Sequence, residues 1–95
     1  MKHIDNMDTS KMNNRIEDLI KALKNSQKFD TARFFENLSQ RIKTVDDKKY
    51  LEAMIIEIGK ISPIAQYGSF TSNEECLLAS LQNEAALLKN ILNEQ

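Results

Sequence analysis

The chain has 95 residues, 41% of them hydrophobic and 28% charged, with a formal net charge of −1 at pH 7. That length makes one domain at most, and the small net charge excludes a global electrostatic pull towards nucleic acid or an anionic membrane. Two Gly and one Pro are too few for the tight turns of a strand-rich domain, so the composition predicts a few long helices.

Residues 1–8 are polar and aperiodic. They read as a frayed tail ahead of a single helical domain over 9–95, and they lack the apolar core of a secretory signal. The first helix is predicted from Thr9 or Ser10 to about Asn25. Met12, Ile16, Leu19, Ile20 and Leu23 form its apolar stripe, and their spacing keeps them on one helical face. The second is predicted from Asp30, as N-cap, to Lys43. Phe35, Leu38, Ile42 and Val45 point inward, and Phe29 and Phe34 sit where a hydrophobic staple would. The third runs from Asp46 or Asp47 to about Gly59, with Leu51, Met54, Ile55 and Ile58 inside and Tyr50 on the margin.

Pro63 stops an α conformation at Ser62. Residues 62–71 carry Ile64, Tyr67 and Phe70, which suits an ordered loop rather than a flexible linker. The fourth helix is predicted to open on a capping box, Ser72 with Glu75, and to run to about Leu92. Leu78, Leu81, Ala85, Leu88 and Leu92 repeat at alternating steps of three and four, with Leu87 and Cys76 well off that arc. This pattern serves either core packing or a self-association seam. The expected fold is therefore all-α, a compact bundle of three to four helices with one ordered loop before the C-terminal helix. The predicted core is Ile16, Leu19, Leu23, Phe35, Leu38, Ile42, Leu51, Ile55, Ile58, Leu78, Leu81, Leu88 and Leu92.

Charge is unevenly spread. Residues 1–49 hold eleven Lys/Arg against eight Asp/Glu, and residues 50–95 hold two against six. The expected result is solvated helix faces with local pairs such as Glu17–Lys21. The alternative is a weakly bipolar molecule able to associate head to tail.

The residue inventory offers little chemistry. His3, the one histidine, lies in the tail, where no triad could hold its imidazole. One cysteine and no Asp-x-Asp or Glu-x-x-His pattern make a metal site unexpected. No internal disulfide can form, so a reducing cytoplasm is the expected compartment. Cys76 is expected to be a small packed thiol. Asp46-Asp47 and Glu74-Glu75 fall at helix starts, where capping and dipole compensation account for them. Gly59-Lys60-Ile61-Ser62 lacks the upstream glycine and the Ser/Thr after lysine that a phosphate loop requires. No helix offers the basic face of a DNA-recognition helix. No stretch approaches the roughly 18–20 apolar residues of a membrane span.

The expectation is accordingly a non-enzyme with no catalytic residue, cofactor or metal, whose partner is another protein or a second copy of itself. The binding candidates are Gln66, Tyr67, Ser69 and Phe70, in the aromatic loop around Gly68. They have two readings: the rings plug the bundle end, with Gly68 supplying a positive φ, or Tyr67 anchors a partner.

Gly68-Ser69-Phe70, followed by the helix-capping pair Thr71-Ser72, resembles a turn in small bacterial all-helical domains. In those domains a Gly-Met-Gly-Ser-Phe-Asn-Asp-like segment joins a helical hairpin to the last helix. Gln66-Tyr67 depart from its Gly-Met portion. The resemblance implies no assigned catalysis and, for some such domains, an immunity-type role as the partner of a toxin. It thus points to a protein-binding module, with inhibition of a bacterial toxin as the immunity-type form of that role. The alternative is a structural or adaptor protein dimerising through the C-terminal helix.

Overall fold

The computed structural model describes residues 9–61 and 70–93. Four helices follow in order: α1 (Ser10–Asn25), α2 (Phe29–Thr44), α3 (Lys48–Gly59) and α4 (Ser72–Asn93). The chain is an all-α bundle, and no strand occurs among the described residues. The expected tail at 1–8 and most of the expected loop at 62–71 lie outside those residues.

The helices alternate in direction. α1 packs against both α2 and α4, α3 packs mainly against α4, and α2 and α3 meet only slightly. α1 and α4 therefore form the central pair. Cross-helix contacts fix the directions: Lys24 pairs with Glu36 and Glu17 with Lys43 across α1/α2, while Ser26 meets Glu74 and Arg15 meets Glu84 across α1/α4.

Every predicted core residue is buried, and Met12, Ile20, Ala32, Met54, Ile61, Phe70 and Ala85 join them. Burying each aliphatic or aromatic side chain favours folding by about 1.5–3 kcal/mol. Phe34 and Phe35 meet edge to face, with ring centroids 5.0 Å apart.

Helix boundaries follow local chemistry. α1 ends in a Schellman motif, in which the Gln27 N–H donates to the Lys24 carbonyl and the Lys28 N–H to the Leu23 carbonyl. Gln27 sits at φ 61°, a left-handed position usually given to glycine. This turn alters the predicted start of the second helix. α2 begins at Phe29 with Lys28 as N-cap, not at Asp30, and Phe29 is 56% exposed. The expected Phe29–Phe34 staple does not form. α3 begins as expected, with the Asp47 carboxylate accepting from the Lys49 N–H at 2.8 Å.

α4 does open on a capping box, one residue earlier than predicted. The Glu74 N–H donates to Thr71 Oγ1 at 3.1 Å, and the Thr71 N–H donates to Glu74 Oε1 at 2.9 Å. Thr71 and Glu74 are the partners, not Ser72 and Glu75. Two further expectations fail. Glu17 pairs with Lys43 of α2 at 3.1 Å rather than with Lys21, because the facing helix offers the nearer cation. Cys76 is exposed, since it lies on the side of α4 away from the core stripe.

Candidate functional site

At one end of the bundle, the α1–α2 turn meets the start of α4. The Glu74 side chain is 1% exposed. It accepts from Ser26 Oγ at 2.6 Å, from Lys28 Nζ at 2.6 Å and from the Thr71 N–H. Burial works to raise its pKa. The hydrogen bonds from Lys28, Ser26 and the Thr71 backbone, together with the Lys28 charge, outweigh burial and hold it below its ordinary value of 4.5. Glu74 is thus a carboxylate that accepts three hydrogen bonds on its two oxygens. It is a latch between chain segments, and its burial and lowered pKa make it a weak, inaccessible base.

Phe70 lies beside this latch. Its ring is 7% exposed, and the Lys28 ammonium stands 5.9 Å from the ring centroid, within reach of a cation–π attraction. Of the four residues proposed from the sequence for partner binding, Phe70 closes the core at this end. Gln66, Tyr67 and Ser69 lie outside the described residues.

Elsewhere, polar groups are matched. Ser39 Oγ donates to Asn13 Oδ1 across α1/α2. Gln82 Nε2 donates to the carbonyls of Ile58 and Ile61 at 3.1 and 2.9 Å, tying α4 to the end of α3. Among the described residues no buried side-chain nitrogen or oxygen lacks a partner. No group of three His, Cys, Asp or Glu side chains is placed to hold a metal among them, and no described helix is long and apolar enough to cross a membrane.

Comparison with known proteins finds no matching family model, no matching curated protein and no matching solved structure. The surface itself must therefore supply the functional argument.

Three surface features stand out. Leu87 and Ile91 are 58% and 46% exposed, one helical turn apart on the outer side of α4. A groove of about 410 Å³ between α1 and α2 is lined by Glu17, Lys21, Glu36, Asn37, Gln40 and Lys43, among others. Its charges are largely spent, since Glu17 is paired with Lys43 and Glu36 with Lys24. A second groove, of about 240 Å³, lies between α3 and α4. Sequence reasoning saw Leu87 as an off-stripe residue. It missed the grooves, because each depends on how two helices approach.

Proposed function

We propose that this chain is a non-catalytic protein-binding module acting in the cytoplasm, with toxin neutralisation as its specific form. The observation that supports it best is the pair Leu87 and Ile91. Both stay about half exposed while the inner stripe of α4 is buried. Isolated exposed apolar side chains are ordinary. Two on one face of a helix, a turn apart, form a seed for association by helix packing. The C-terminal half carries six acidic residues against two lysines, which complements a basic partner such as a nuclease toxin. The exposed Cys76 thiol suits a reducing compartment.

Affinity capture from the native host tests this. The tagged chain should recover an unrelated protein in stoichiometric amount, and Leu87→Ser with Ile91→Ser should lose it. Recovery of the chain alone would sink this reading.

The same pair favours one alternative: a structural or adaptor protein that dimerises through α4. Light scattering separates the two readings. A dimer that Leu87→Ser dissociates supports self-assembly, and a monomer at high protein concentration removes it.

A further inference from the structure

The groove between α3 and α4 combines an apolar floor with a cationic rim. Ile55 and Ala85 form the floor, Ile56 and Ala86 the walls, and Ile56 remains 40% exposed. Gly59 leaves one wall bare, because a Cβ built there meets nothing within 4 Å. Lys60 and Lys89 stand at the rim. They are the only cations in residues 50–95, so the acidic half of the chain places both its positive charges at one site. Neither enters an ion pair with a described residue. Lys60 follows the last residue of α3 and answers that helix's dipole. Lys89 lies within α4 and has no such role. Glu52, one turn before Ile56 on α3, is not among the lining residues.

Size and openness decide the kind of occupant. Small-molecule sites usually enclose about 300–1,000 Å³ and bury most of the ligand. This groove is smaller and open along one side, which suits an aliphatic side chain or two projecting from a partner. The larger α1/α2 groove is a poorer candidate because its charges already satisfy one another.

We propose that the α3/α4 groove docks an amphipathic helix of a protein partner, whose aliphatic side chain enters between Ile56 and Ala86 while flanking carboxylates meet Lys60 and Lys89. This rests on the protein-binding reading above and names the chemistry of one contact, an acidic helix within a partner whose basic surface meets the acidic remainder of this half of the chain. Helix-in-groove recognition supplies the apolar anchor. The two lysines supply sign selectivity.

The test uses the full chain and two short, fluorescein-labelled helical peptides. One carries leucines four residues apart flanked by glutamates. The other has lysines in place of the glutamates. Fluorescence anisotropy should show saturable binding of the glutamate peptide alone, weakening as salt is added. Lys89→Glu should weaken it by about tenfold. Gly59→Met should weaken it comparably by filling the groove, with a melting temperature no lower than the parent's, because the added side chain enters open space and replaces a helical glycine.

Equal binding of the two peptides, or undiminished binding to folded Gly59→Met, would overturn the proposal. So would self-association of the parent chain that Gly59→Met abolishes, since the occupant would then be a second copy. The peptides require no cellular partner. Failed capture from the host therefore counts against the general reading, and failed peptide binding counts against this groove.

Discussion

Removing the Glu74 carboxylate should cost the fold far more than a surface charge would. In Glu74→Ala, Ser26, Lys28 and the Thr71 N–H lose their shared acceptor. The lost half of the capping box is worth about 1 kcal/mol. A hydrogen bond to a charged group is worth about 1.5–3 kcal/mol. Ser26 is exposed and the Lys28 side chain is 26% exposed, so both regain water and only the lower end of that range applies. The expected loss is about 2–3 kcal/mol, a large share of the 5–15 kcal/mol typical of a domain. Urea unfolding followed by far-UV circular dichroism measures it, with an unchanged m-value confirming the same folded and unfolded states. Lys28→Met and the double variant complete a cycle, in which a coupling of at least about 1 kcal/mol is expected. A loss below about 0.5 kcal/mol for Glu74→Ala would refute the reasoning, because it would mean the carboxylate is hydrated in solution.

Other outcomes follow from the same contacts. The Glu74 carboxyl titrates below its ordinary 4.5 in the folded chain. Its contribution is therefore complete above the unfolded value and is lost as pH falls through the depressed folded value. Acid titration should destabilise Glu74→Gln less steeply than the parent below pH 4.5. Gln27→Gly should raise stability by about 0.5–1 kcal/mol, because glycine adopts φ 61° without steric cost; a lower melting temperature would contradict this. Leu81→Ala, at a fully buried position, should cost about 2–5 kcal/mol in the same unfolding assay. Leu87→Ser and Ile91→Ser, at side chains about half exposed, should each cost no more than about 1 kcal/mol and leave the chain folded, so that any loss of partner capture by the folded variants reports on the surface.

The helical stripes were legible because 3.6-residue periodicity is a local property. Ile16, Leu19 and Leu23, or Leu78, Leu81 and Leu88, mark an inner face whatever packs against it. Boundaries were less so. Thr71 and Ser72 are both capping residues, each followed three positions later by a glutamate. Sequence offers two registers of one box, and the tertiary contact from Lys28 to Glu74 selects the first. Phe29 misled because the turn before it hangs on Gln27, whose left-handed backbone has no glycine to announce it. Cys76 was misplaced by a general tendency of cysteines to be buried. Its position off the α4 stripe was the better guide. The α3/α4 groove was illegible for a different reason. Ile56, Gly59, Ala86 and Lys89 become neighbours only when two helices pack.

The arrangement of contacts also sets an order of loosening. α3 leans chiefly on α4 and scarcely touches α2, whereas α1 and α2 support each other directly. If α4 detaches, α3 loses most of its packing and cannot persist alone as a twelve-residue helix. The α1–α2 hairpin keeps its own apolar contacts and cross-helix pairs. Amide hydrogens of α3 should therefore exchange no more slowly than those of α4, while the most protected amides lie along α1. In that sense α4 is the gatekeeper of the second half of the chain: whatever grips it from outside also slows the breathing of α3.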